Sequence, residues 1–344
     1  MIIYAKESGG IDANQLDIPV TYIQLKSNYQ LQCLRKPLIL VKLAKTQTLG
    51  SSKMQIITLT SDLGLKDYYV ASVKARLMQE IPEAYCVDIS HQIKPFDSLE
   101  AAYQLRNCFS EFPKGTIHLV GVDCEPFLPY KLQPGQSDNV LSYPCILLFQ
   151  EHYIICSDNG FIGAFLGLDT PQALYQYKAI ENHPSHWNFM LKYCFIGLAK
   201  QLYNNKSLGE FCESVTKFKR AFTPLPQFDE HSIVGNVIHI DAFGNIVTNI
   251  FKSDFERFGL DVPFTISYQK RNDDINVISK AYNDVALGDR VAIFNEAQRL
   301  EIAINRGANA GNGGADKLFG IRLGETVRVT FFPRGSVQNL SSLL

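Results

Sequence analysis

Residues 58–74 read TLTSDLGLKDYYVASVK, and this stretch decides the fold. An apolar, β-branched run through Ile56, Ile57 and Leu59 has the character of a buried strand. It halts at Ser61-Asp62-Leu63-Gly64, residues suited to a turn, and a helix is predicted over 67–80. There Tyr69, Val70, Val73, Leu77 and Ile81 fall on one stripe at helical spacing, which predicts a face turned to the core. An acid and a glycine at a strand mouth, ahead of a helix, have two readings. Either Asp62 turns and caps the chain, or it is held there for a ligand.

Working outward, the alternation continues. AYCVDIS reads as a strand, 97–109 as a helix, GTIHLVGVD as a strand, CILLFQEHYIICSD as one apolar run, and 188–203 as a further helix. Apolar strands separated by amphipathic helices predict an α/β domain with a mainly parallel, Rossmann-like sheet covered on both faces. Such sheets bind ligands beyond the carboxyl ends of their strands. Four acids stand at such ends: Asp62, Asp88, Asp123 and Asp158. KRAFTPLPQFDEH (219–231), with two prolines, reads as a linker. Beyond it, short runs such as SIVGNVIHID, NIVTNI, RVAIFN and TVRVTFF alternate in polarity between turns, which predicts an antiparallel β-barrel-like domain. The expected division is an extension over 1–53 outside the fold, an α/β domain over 54–222, and the β-barrel-like domain over 233–344.

The bulk numbers narrow the function classes. The chain of 344 residues is 46% hydrophobic and 19% charged, with a formal net charge of −1. That balance makes no electrostatic case for nucleic acid or an anionic membrane, and no apolar run is long enough to span a bilayer. Eight cysteines stand singly, without a C-x-x-C pair, which suits a reducing cytoplasm. Seven histidines lack ligand spacing, so no metal is expected. No G-x-G-x-x-G follows the first strand, which disfavours a dinucleotide-binding oxidoreductase.

Five stretches in order (ITLTSDLGLKDYYVASVK, VDISHQIKPFDSLEAAYQL, FPKGTIHLVGVD, SDNG and HIDAFGNIVTNI) resemble the S-adenosylmethionine (SAM) hydroxide adenosyltransferase family, relatives of the SAM-dependent fluorinase and chlorinase. The likeness covers residues 54 to about 330, and DAFGNIVTNI is its most specific piece. The resemblance implies a homotrimer in which SAM lies between the N-terminal domain of one subunit and the C-terminal domain of the next. It implies attack of water or hydroxide on C5′ of SAM, giving adenosine and L-methionine with no cofactor. By position it assigns Asp62 to the ribose hydroxyls, Phe96 to packing near the ribose, and Tyr69 to the methionine carboxylate. Asp241 would meet the ammonium, Asn245 would read adenine, Phe243 would pack beside them, and backbone around Ile304 to Arg306 would meet adenine.

The same comparison marks departures. Hydrolytic members carry an Asp-Arg-His set that positions and deprotonates water. Here VDCEPFLPYKL keeps Asp123 as the candidate catalytic residue but loses the glycines, and Tyr130-Lys131 stand where arginine is expected. In NFMLKY, Met190 holds the place of the histidine, with His186 four residues early. Halide-using relatives supply contacts not found at Leu191 or Pro126, so halogenation is disfavoured. Two readings stay open from the sequence: a SAM hydrolase with Asp123 orienting water, or a catalytically degenerate protein that binds SAM or adenosine.

Overall fold

Successive side chains of a strand point to opposite faces, so a sheet covered on both sides needs apolar residues at every position. β1 (Gln55–Ser61) and β3 (Ile117–Gly121) meet that demand on one face with Ile57, Leu59, Ile117 and Leu119, while the other face buries Val120 beside the polar Thr58, Thr60 and His118. The computed structural model describes residues 55–126, 142–221, 224–259, 262–268, 275–307 and 313–333. The extension expected over 1–53 lies outside the described residues, as do Tyr130 and Lys131.

The first sheet adds β2 (Ala84–Ser90), β4 (Pro144–Phe149), β5 (His152–Ser157), β6 (Ala173–Gln176) and β7 (Glu213–Ser214), in the order β2-β1-β3-β5-β4-β6-β7. It is parallel over β2-β1-β3-β5 and antiparallel beyond. One face is covered by α1 (Tyr69–Glu80) through Val73 and Leu77, together with residues 191–203. The other is covered by α2 (Ser98–Arg106) and α3 (Phe161–Leu166), through Ala101, Leu105, Phe161 and Phe165. Each fully buried leucine, isoleucine or phenylalanine contributes about 1.5–3 kcal/mol, so the two cores fix which way the strand ends face.

Several expectations for this domain need correction. Tyr69, placed on the core stripe, is 39% exposed, while Val70, Val73, Leu77 and Ile81 are buried. It is the first residue of α1 and meets Phe189 edge-on instead of the sheet core. CILLFQEHYIICSD is a hairpin of β4 and β5, turned at Gln150 and Glu151, both with positive φ (48° and 64°). Asp88 lies within β2, paired with Lys74 at 2.5 Å, instead of at a free strand end. Burial works to raise its pKa, but Lys74 and His91 outweigh that and hold it below the ordinary value. The helix expected over 188–203 is three pieces: a 3-10 turn (Pro184–Phe189), a π-helical turn (Leu191–Phe195) and α4 (Ile196–Tyr203).

The second domain is the expected antiparallel, curled sheet. Its order is β11 (Phe264–Tyr268), β14 (Thr326–Phe331), β9 (Ser232–Ile240), β10 (Ile246–Phe251), β13 (Arg299–Ile304) and β12 (Arg290–Phe294), with β8 (Gln227–Phe228) beside β9. Ile233, Val237, Ile246, Ile302, Val327 and Val329 form its core, closed by Phe255 of α5 (Lys252–Glu256) and Phe319 of α6 (Ala315–Phe319). His239 of β9 stacks on Tyr103 of α2 at 4.5 Å between ring centres, joining the two domains. Among the described residues, no helix is long and apolar enough to cross a membrane.

Candidate active site

β1 and β3 are parallel neighbours, with Ser61 paired to Gly121. Their ends therefore release Asp62 and Asp123 side by side at one edge of the sheet. Asp62 is half-buried, and its Oδ2 accepts a hydrogen bond from the Phe96 amide at 3.0 Å. Phe96 has a φ of 66°, unusual outside glycine, and its ring is 74% exposed. The turn thus aims the amide at Asp62 while leaving the aromatic face open. Asp123 also sits in the left-handed region (φ 45°). The Asn159 amide group holds that bend by donating to the carbonyls of Val122 (3.0 Å) and Asp123 (2.9 Å).

Burial raises the Asp123 pKa, and the charge of Asp62 raises it further, with Lys219 pulling the other way. A carboxylate so placed is a better proton acceptor than an ordinary aspartate. Asp158 serves the frame: its Oδ1 accepts from the Lys219 amide at 2.8 Å. An open groove of about 1460 Å³ is lined by Ser98, Asp158, Asn159, Gly160 and Lys219 among others; neither Asp62 nor Asp123 lines it.

The stretch that departs from the family pattern is apolar in three dimensions as well. Met190 and Leu191 are each 1% exposed and belong to the core. Leu191 Cδ2 would lie 2.5 Å from a Cβ added at Gly121, so the two elements touch because that glycine has no side chain. The Cys124 thiol is pushed up to about 12, first by burial and then by the charge of Asp62, and stays protonated at neutral pH. His186 stacks between His183 (5.2 Å) and Tyr193 (5.6 Å). Tyr69 meets Phe189 edge-on at 5.9 Å, and Lys192 Nζ lies 5.0 Å from the Tyr193 ring centre and donates to Ser72 Oγ at 2.7 Å. Exposed Tyr69 is flanked by the rings of Tyr68 (4.7 Å) and Phe189.

In the second domain, Asp241 closes a tight loop between β9 and β10. Its Oδ1 accepts from the amides of Phe243 (2.9 Å) and Asn245 (2.8 Å), and its Oδ2 from Asn245 Nδ2 (2.9 Å). The side-chain carbonyl and second amide N–H of buried Asn245 take no part in this bond, and such a pair of groups can read a base edge. Phe243 is 68% exposed at the loop tip. Ile304 ends β13 buried, and Arg306 follows exposed at a φ of 54°. The structure thus brings Asp62, Phe96 and Asp123 together, and separately Asp241, Phe243 and Asn245. Among the described residues no hydrogen bond joins the two groups. Sequence reasoning missed Asn159, whose signal was its place in SDNG, and Lys192, a cation within NFMLKY. It also assigned no part to His91 of VDISH.

A parallel sheet with two acids at adjacent strand ends, followed by an antiparallel domain bearing an Asp-x-x-x-Asn loop, defines a class of two-domain proteins. The chain belongs to the SAM hydroxide adenosyltransferase family: the family's N-terminal domain model matches residues 57–212 and its C-terminal domain model residues 235–328. The membership expected from the five motifs is met. The chain is 29% identical over 208 residues to an (R)-S-adenosyl-L-methionine hydrolase of Methanocaldococcus jannaschii, covering 58% of this chain and 69% of that one. A protein of the same name from Thermus thermophilus is 26% identical over 294 residues, covering 80% and 100%. A fluorinase of Nocardia brasiliensis matches over only 70 residues at 34% identity, 20% of this chain and 23% of that one. The crystal structure of an uncharacterized conserved protein from Thermotoga maritima shares the fold, with a TM-score of 0.67 at 24% identity, covering 80% of this chain and all of that one.

Proposed function

We propose that this protein hydrolyses SAM to adenosine and L-methionine. Asp62 and Asp123, set side by side at the ends of β1 and β3, carry this reading. Asp62 accepts the ribose hydroxyls, Phe96 packs against the sugar, and Tyr69 meets the methionine carboxylate. Asp241 faces the ammonium, with Phe243 beside it. Asn245 and the backbone from Ile304 to Arg306 take adenine. In this reading the complete site is built in a homotrimer, as the family resemblance implies, from the N-terminal domain of one subunit and the C-terminal domain of the next.

The chemistry makes modest demands. The sulfonium is already a good leaving group, so gripping both ends and excluding bulk water supply much of the acceleration. Water attacks C5′ as the C5′–S bond breaks, the electron pair leaves with the methionine sulfur, and Asp123 accepts the proton released. No cofactor enters; SAM is the substrate. Met190 leaves Asp123 without a histidine partner, and its raised pKa offsets part of that loss. Binding without turnover, the other reading of the altered stretches, is not favoured, since relatives matched over nearly their whole length are named hydrolases. The free thiols of Cys86, Cys108, Cys124, Cys145, Cys156, Cys194 and Cys212 fit work in the reducing cytoplasm.

Chromatography of SAM incubated with the pure protein tests the proposal. Adenosine and methionine should form in equal amounts, and no adenosine above the protein-free control contradicts it. A pH profile tests the base. Since Lys219 holds the Asp123 pKa down, Lys219→Gln should move the acid limb of kcat/KM to higher pH, by less than about one unit. A limb that stays or moves down removes Asp123 as the group titrating there.

A further inference from the structure

Asp62 is held by more than its own hydrogen bond. Ser61, immediately before it, places its Oγ 2.7 Å from His91 Nδ1. The His91 carbonyl accepts from the Gly64 amide at 2.7 Å, so one residue grips the turn on both sides of Asp62. The Ile93 amide donates to the Ser61 carbonyl at 3.4 Å, and the Phe96 amide reaches Asp62 itself. Behind the ring, His91 Nε2 lies 3.1 Å from Asp88 Oδ1, and Asp88 is anchored in β2 by Lys74.

A serine, a histidine and an aspartate in line invite comparison with a nucleophilic triad, but the geometry is wrong for one. In such triads the serine meets Nε2 and the acid meets Nδ1; here the two are exchanged. Ser61 is fully buried and His91 is 4% exposed, so no substrate carbonyl can reach the hydroxyl. A buried ring held between Asp88 of β2 and the turn that carries a ligand-facing carboxylate has a mechanical role. We propose that His91 is a positioning residue: through Ser61 it sets the Asp62 carboxylate in the pose that accepts a vicinal diol, and so gives the site its preference for an intact ribose. This rests on the reading of Asp62 as the ribose-binding acid.

Calorimetry with adenosine and 2′,3′-dideoxyadenosine on the full chain tests it. The wild type should prefer adenosine by about 10- to 100-fold, the range expected when hydrogen bonds to a charged group are made or lost. Asp62→Asn should erase that preference. His91→Asn keeps a polar atom where Nδ1 stood and should retain it. His91→Gln places its amide at the position of Nε2 and should bring the two ligands within about threefold, with dideoxyadenosine binding unchanged. If His91→Gln fails to fold, Ser61→Ala, which removes the other partner, should show the same selective loss. A wild type indifferent to the diol overturns the ribose reading of Asp62 and the positioning role with it. A wild type that discriminates, an Asp62→Asn that does not, and a His91→Gln or Ser61→Ala that still does overturn the positioning role alone. An equal loss of both ligands also overturns it, since a general collapse of the site would do the same.

Discussion

Replacing Asp123 with asparagine should lower kcat for SAM hydrolysis by about 10²–10⁴-fold, the usual worth of a placed general base. The change keeps size and shape and leaves the backbone carbonyl that accepts from Asn159. It removes the carboxylate assigned to the proton, and Met190, Leu191 and Cys124 offer no replacement, since the first two are core residues and the thiol is held protonated by burial. KM should change little, since Asp123 is assigned to water and not to the bound adenosyl group. Asparagine also removes the charge that repels Asp62, which works to tighten the grip of that carboxylate on the sugar. Steady-state kinetics separate these effects. A kcat within about threefold of wild type would mean that positioning and desolvation alone drive the displacement. A rise in KM with unchanged kcat would move Asp123 into substrate binding.

Much of this site was legible from residue types alone, and the reasons are local. β1 is apolar and β-branched and ends in Ser-Asp-Leu-Gly, so both the strand and the exit of Asp62 follow from short-range chemistry. The loop from Asp241 to Asn245 was equally plain, since Asx residues and a glycine with φ of 77° make such turns. What escaped depends on partners distant in the chain. Tyr69 shares the stripe of Val73 and Leu77 yet stands exposed at the first residue of α1, and helical periodicity does not encode how far along a helix the core reaches. The hairpin at Gln150-Glu151 uses residues with no preference for positive φ, so tertiary pairing of β4 with β5 overrides local propensity. The π-helical turn at Leu191–Phe195 looks helical in pattern and differs only in register. Asn159 and His91 act through bonds across 36 and 30 residues, a relation that only the fold creates.

The largest expected effect on stability lies at Gly314. A Cβ there would stand 2.2 Å from the Phe243 carbonyl oxygen and 2.5 Å from the Gly244 Cα. Both are backbone atoms of the turn that presents Asn245, and neither can rotate away. Gly314 itself has a φ of −79°, which any residue adopts, so the cost of alanine is purely steric. Overpacking of this kind costs about 1–3 kcal/mol and occasionally more, and backbone contacts place Gly314→Ala at the upper end. Relief requires the loop from Asp241 to Asn245 to lift off α6, breaking the bond from the Asp316 amide to the Gly244 carbonyl at 3.0 Å. Denaturant melts should therefore show about 3 kcal/mol of lost stability. In the same variant, affinity for adenosine should fall, because the displaced loop carries the amide assigned to the base. Gly320→Ala serves as the contrast. Its φ of 67° strains an alanine, yet nothing lies within 4 Å of the added methyl, so about 1 kcal/mol is expected there, with adenosine binding intact. Equal losses at the two positions, or unchanged binding in Gly314→Ala, would show that contact between α6 and the loop does not set the pose of Asn245.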